Sequence, residues 1–235
     1  MEVLAAQGFG YLLVLLRTAG LLMSAPVLGA RNVPVRIRLA LSLALAMAVF
    51  TGAGSPPVAL PGGVGGLLAG LAARWVLDSA VAAGQVIGMS MGIGFAALVD
   101  PTSGAQSNAP GEMLLTLAQL SALALGVHRE AIGWLARSVR LWPPGAALPL
   151  RSLASHAIGE AVLGATLAVR VAFPVLAAVI LGHALVGVLG RAAPQLSLAT
   201  VGFSVAILAG GGALYLVVPQ AAELIARSTV AAFPR

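Results

Sequence analysis

In the stretch "HAIGE", His156 and Glu160 stand four residues apart, so a helix there places an imidazole and a carboxylate on one face. With His183 added, these residues have the best claim in the chain to metal ligation or proton transfer. The claim is thin. His128, His156 and His183 are far apart in sequence, none lies in an H-E-x-x-H pattern, and only proximity in the folded chain would assemble a site. No Gly-x-Ser-x-Gly elbow occurs, and 7 acidic residues are too sparse to suggest a carboxylate pair. All 13 basic residues are arginine, which removes the Gly-Lys-Ser/Thr phosphate loop and Schiff-base chemistry. With no cysteine there is no disulfide, thiolate nucleophile or iron–sulfur site. The expectation is a protein that is not an enzyme and needs no metal or cofactor.

The elements that would position such groups are membrane helices. Of 235 residues, 60% are hydrophobic and 9% charged, where a soluble domain carries roughly 25% charged residues. Apolar surface on this scale calls for lipid, or for partner subunits with equally apolar faces. The net charge of +6 is spread along the chain, without the dense basic patch of a nucleic-acid binder. Glu2, where a signal peptide would carry basic residues, suggests a retained first helix.

Apolar stretches fall at roughly 8–30, 39–53, 64–98, 113–136, 153–190 and 195–218, which predicts an all-α membrane protein of Pro/Gly-kinked helices and helical hairpins. Breaks come at "GAGSPPVALPGG" (52–63), "DPTSGAQSNAPG" (100–111) and "WPPGAALP" (142–149), and no shift in composition divides the single domain, 1–235. The stretches 64–98 and 153–190 exceed the roughly 20 residues that cross a bilayer; each is a hairpin or one long helix. Basic loops orient membrane helices. A consistent first half puts 31–38 and 137–151 inside and requires 64–98 to turn near Arg74–Asp78. The second half fits no clean topology, as expected of helices packed in a protein assembly.

Arg17, Arg74, Asp78, Glu160 and Arg170 lie inside apolar runs, where each costs about 2.5–3.5 kcal/mol at a helix centre. Satisfaction within the fold or against a partner subunit is the plainer reading; a proton or ion pathway is the sharper one. Ala80, Gly84, Gly88, Gly92 and Ala96 recur every four residues as a small-residue ridge, which predicts close packing against a neighbouring helix of this or another chain.

Three ordered segments resemble one family. They are "RTAGLLMSAPVLGARNVPVRIRLALSLALA" (17–46), "GQVIGMSMGIGFAALVDPTSGAQS" (84–107) and "LGRAAPQLSLATVGFSVAI" (189–207), with weaker agreement around His128 and Pro144. The family is FliR, a component of the flagellar type III protein-export apparatus, related to the T-type subunits of virulence injectisomes. Arg31, Pro34, Arg36, Arg191, Pro194, Gln195, Gly202 and Phe203 fall on its motifs as structural or partner contacts. Ser204 departs from the family's Gly-Phe-Pro, and Val127-His128 stands where Gly-His is usual. "DPTSGAQS" and "RAAPQLS" are closer to the flagellar branch.

The resemblance implies a single-copy subunit, packed with P-type and Q-type subunits and other export-apparatus membrane proteins. Its setting would be a helical export gate in the bacterial inner membrane, at the flagellar basal body. The gate conducts unfolded flagellar proteins, driven from outside this subunit by an ATPase complex and the proton gradient. In such a pore, Asp100, Pro101, Thr102, Ser103, Gly104, Ala105, Gln106, Ser107 and Asn108 would form a plug or constriction. Their small polar side chains give weak, adaptable contacts, and non-helical backbone at membrane depth is tolerated where it lines a cavity or is buried in protein. The bland alternative is a solvent loop after a helix stopped at Asp100-Pro101. Three rival functions remain: an injectisome T-type subunit, an intramembrane enzyme built on His156, Glu160 and His183, and a small-molecule transporter coupled through Arg17, Glu160 and Arg170. The transporter predicts internal repeats, and none is evident between the two halves.

Overall fold

The computed structural model describes residues 2–26, 33–50, 60–93, 109–144, 146–192 and 198–234. Among the described residues there are seven α-helices and no strand: α1 (Glu2–Ser24), α2 (Val35–Val49), α3 (Leu60–Ser90), α4 (Ala109–Ala124), α5 (Val127–Leu141), α6 (Leu150–Ala192) and α7 (Leu198–Ala231). A helix satisfies its backbone hydrogen bonds within its own segment, as apolar surroundings demand. Three described segments are long and apolar enough to cross a membrane: Gly63–Ser90, Leu150–Arg191 and Val201–Ala231. The interrupted pair α4–α5 makes a fourth if counted as one broken span.

Of the two long apolar stretches, 153–190 lies within one helix, and 64–90 of the other lies within one helix. The turn expected near Arg74–Asp78 does not occur, because α3 runs unbroken from Leu60 to Ser90. No Gly or Pro lies between Arg74 and Asp78 to interrupt it, and charges four residues apart are compatible with one helix face. The topology that relied on a hairpin at 64–98 therefore fails. Helix α6 extends for 43 residues with Pro174 inside it, a length of about 65 Å at 1.5 Å per residue. Helix α7 continues past the expected end at 218, through Pro219, to Ala231. The run at 113–136 is interrupted by Gly126, whose φ of +88° suits glycine. The Gly126 carbonyl then accepts the N–H groups of Arg129 and Glu130, opening α5.

The chain gathers into two compact units. The first comprises Met1–Leu77, Ala122–Leu163 and Arg227–Arg235. In it Val14, Ala46 and Val139 join α1, α2 and α5 in one buried cluster. Tyr11 meets Phe50 edge-on with ring centroids 5.8 Å apart, and its hydroxyl donates to the Leu43 carbonyl at 3.2 Å. Helices α1 and α3 approach backbone to backbone. A Cβ on Gly20 would strike the Gly63 carbonyl, one on Gly66 the Arg17 carbonyl, and one on Gly70 the Ser24 hydroxyl. That hydroxyl lies 2.9 Å from the Gly20 carbonyl of its own helix and 3.0 Å from the Leu67 carbonyl of α3. Between apolar helices, packing contact and such hydrogen bonds supply the association that hydrophobic burial supplies in water.

The second unit comprises Asp78–Ser121 and Gly164–Ala226. Here Gly182 of α6 faces Val205 and Ala209 of α7, while Gly202 faces Val186. As numbers fall along α6 they rise along α7, so the two are antiparallel. Gly210 fits against Met91 and Val179, bringing the end of α3 onto the pair.

The α1–α3 contact makes a testable contrast. Gly66→Ala should destabilise the protein by about 1–3 kcal/mol, the usual cost of overpacking, because its Cβ meets backbone. Gly159→Ala, with nothing within 4 Å, should be neutral or slightly stabilising through helix propensity. Thermal unfolding of the detergent-solubilised variants followed by circular dichroism measures both.

Candidate functional site

The polar stretch enters and leaves through the second unit. At its entry α3 stops after Ser90 in a Schellman turn: Ile93 N–H bonds the Gly88 carbonyl at 3.0 Å and Gly92 N–H the Met89 carbonyl at 3.1 Å. Gly92 takes the left-handed position with φ +77°. A Cβ there would also lie 2.9 Å from the Phe203 ring. Gly92 is thus fixed twice, by its backbone and by its neighbour.

At the exit, Ala109, Pro110 and Gly111 open α4, and this first turn rests on α3. A Cβ on Gly84 would overlap Gly111, whereas one on Gly88 would touch the Pro110 ring at an ordinary 3.8 Å. Proline suits a first helical turn, where its missing N–H would have no intrahelical partner. The end of α3 and the start of α4 are consequently held on one framework, whatever the segment between them does.

Beside Gly92 lies an open groove of about 480 Å³, walled by Met89, Met91, His183, Val186 and Phe203. It is chiefly apolar, and Met89 and Phe203 are exposed at 76% and 50%. Methionine and phenylalanine there can adapt to varied apolar contact.

Of the residues singled out from sequence, Asp100 to Asn108, Ala96, Arg31, Pro194 and Gln195 lie outside the described residues. Ala80, Gly84 and Gly88 lie on α3, with Gly84 and Gly88 against α4. Gly92 lies beyond the last helical residue, so the spacing of four continues past the helix that would carry it. Gly92 and Phe203, noted for separate reasons, are in contact. Pro34 is the N-cap residue of α2, Arg36 is exposed in its first turn, and Arg191 is exposed in the last turn of α6.

The first unit holds the partners of charged groups that the sequence marked without identifying what satisfies them. Arg17 is 4% exposed, and its Nη1 donates to the carbonyls of Ser138 and Trp142, both at 2.9 Å. The Ser138 carbonyl already accepts the Trp142 N–H; the guanidinium adds a second donor there, supplies one to the Trp142 carbonyl, and opposes the negative end of the α5 dipole. Its Nε is buried without a hydrogen bond. His156 Nε2 lies 2.8 Å from the Ala232 carbonyl and 3.9 Å from Glu160, fastening α6 to the end of α7. Among the described residues no three His, Asp or Glu converge as metal ligands would. An arginine inside an apolar run was the visible signal at Arg17; its acceptors, more than 120 residues away, carry no sequence mark because they are backbone.

These observations define an α-helical, multi-pass membrane protein whose helices associate through small residues and buried polar ties. The family "Bacterial export proteins, family 1" matches residues 9–231. The chain is similar to the flagellar biosynthetic protein FliR of Escherichia coli (strain K12), 31% identical over 213 residues, covering 85% of this chain and 80% of the relative. It is similar to the FliR proteins of Bacillus subtilis (strain 168), 27% identical with 84% and 81% covered, and of Caulobacter vibrioides, 27% identical with 88% and 87% covered. The chain belongs to the FliR family of bacterial export proteins.

Arg17→Met should destabilise the first unit by about 1–3 kcal/mol, since the Trp142 carbonyl loses a charged donor. Arg17→Lys should recover only part, because an ammonium lacks the planar fork. Unfolding midpoints of the two variants beside the parent test this.

Proposed function

We propose that the chain is a non-catalytic subunit of the flagellar type III export gate, present as one copy and acting throughout 1–235 as a single gate domain. It packs with P-type and Q-type subunits and other export-apparatus membrane proteins in the inner membrane at the basal body, and the gate passes unfolded flagellar proteins. The observation that carries this reading is the export-family match across residues 9–231, which includes nearly every described element.

Physical features support it. Helices α6 and α7 expose Phe173, Leu181, Leu208, Tyr215 and Leu216, an apolar surface suited to neighbouring helices. Asp100–Asn108 acts as the plug or constriction. The reading is favoured by its anchored flanks at Gly92 and at Pro110–Gly111, and by side chains that bind passing sequences only weakly. The flagellar branch is preferred to the injectisome branch because the similar proteins above are flagellar. Transport of a small molecule is disfavoured because Arg17, its first candidate coupling group, is engaged with the carbonyls that end α5.

Co-expression with P-type and Q-type genes and purification through a tag on this chain should recover all three; recovery of this chain alone defeats the proposal. Within that complex, deleting Thr102–Asn108 should preserve assembly and raise leak of ions and small solutes through cells or proteoliposomes. A complex equally tight after deletion removes the plug from the proposal and leaves the subunit assignment standing.

A further inference from the structure

We propose that the junction of α5 and α6 is a binding site for the phosphate headgroup of an anionic glycerophospholipid. Helix α5 is strongly two-faced. It buries Val127, Ala131, Trp134, Leu135, Ser138 and Val139 and turns Arg129, Arg137 and Arg140 to the exterior. An amphipathic helix with a basic outer face is the form suited to an interface between hydrocarbon and anionic headgroups.

Where α5 meets α6 a pocket of about 260 Å³ combines both chemistries. Trp134, Trp142 and Leu153 supply apolar walls, while Arg137, Ser152 and His156 supply polar ones. Arg137 forms an ion pair with Glu130 at 3.7 Å, but both side chains are nearly half exposed, at 44% and 46%, so solvent screens the pair and a phosphate can join it. Its guanidinium is therefore available for the paired hydrogen bonds that phosphate oxygens accept. His156 is fixed at the wall by the Ala232 carbonyl.

Charge favours an anion here. Residues 127–160 carry Arg129, Arg137, Arg140 and Arg151 against Glu130 and Glu160, an excess of two positive charges. The apolar walls decide for a lipid over a free ion. Tryptophan at such a boundary seats the glycerol region, and the neighbouring Leu141, 63% exposed, extends the apolar surface toward an acyl chain. This site is independent of the export assignment and survives its failure.

The test uses the full-length chain in detergent with Trp75→Phe, so that of 3 tryptophans only Trp134 and Trp142 report. Phosphatidylglycerol brominated on its acyl chains should quench their fluorescence at roughly fivefold lower concentration than brominated phosphatidylcholine, the preference expected for one arginine near an anionic headgroup. Arg137→Gln should abolish most of that preference, Arg137→Lys should retain part, and Arg36→Gln, on exposed α2, should leave it intact. Circular dichroism should be unchanged in all three. Equal quenching by the two lipids, or full preference in Arg137→Gln, overturns the proposal. So does loss of the preference on adding inorganic phosphate at the lipid's concentration, which would mark a free-anion site.

Discussion

Three helices of the first unit meet at one residue, Arg17, and the packing of that unit follows from how it is accommodated. Its backbone carbonyl is the atom that a side chain on Gly66 would strike, so α3 approaches α1 only because position 66 has none. Its guanidinium reaches the other way, to the carbonyls of Ser138 and Trp142 that end α5. A charge this deeply buried is tolerable only with strong acceptors, and the free end of a helix offers carbonyls and a favourable dipole together. Backbone contact on one side and a charged tie on the other fix α1 between α3 and α5.

The composition made the fold class legible, and the apolar runs located the helices but not their ends: α6 was placed closely, while α1 begins earlier, α7 runs well past 218, and the run at 113–136 is two helices. The course of α3 was harder to infer. Arg74 and Asp78 suggested a turn because charges are costly inside apolar runs, yet a turn needs residues that release the backbone, and "RWVLD" contains none. The true end of α3 was marked by Gly92, whose positive φ belongs to a helix stop. Spacing alone made that glycine part of a ridge. A periodic count does not distinguish a glycine that admits a neighbour from one that ends a helix, and Gly84 and Gly92 illustrate each role.

Much the same division holds for the functional surfaces. The polar stretch after Asp100 stood out because its residues break an apolar pattern, and the family motifs around it were recognisable as residue types in order. Contacts made through backbone atoms or across long separations left no such trace. Gly20 with Gly63, Arg17 with Trp142, and His156 with Ala232 join residues that nothing in sequence pairs. Gly63, Gly66 and Gly70 do carry helical spacing, but they lie where a Pro/Gly-rich connection gives way to the helix and so resemble its continuation.

Helix α6 carries a further consequence, for the life of the chain before it is assembled. Transmembrane helices tilt by 0–40° and span a hydrocarbon layer of about 30 Å. At its length of about 65 Å, even the steepest usual inclination leaves α6 projecting well beyond that layer, with Ile158 and Val162 exposed toward one end and Leu185 and Val188 toward the other. A lone copy would hold greasy surface in the headgroup region or in water, where proteases and chaperones find their clients. A helix of this length therefore asks for a covering surface that a bilayer alone does not supply.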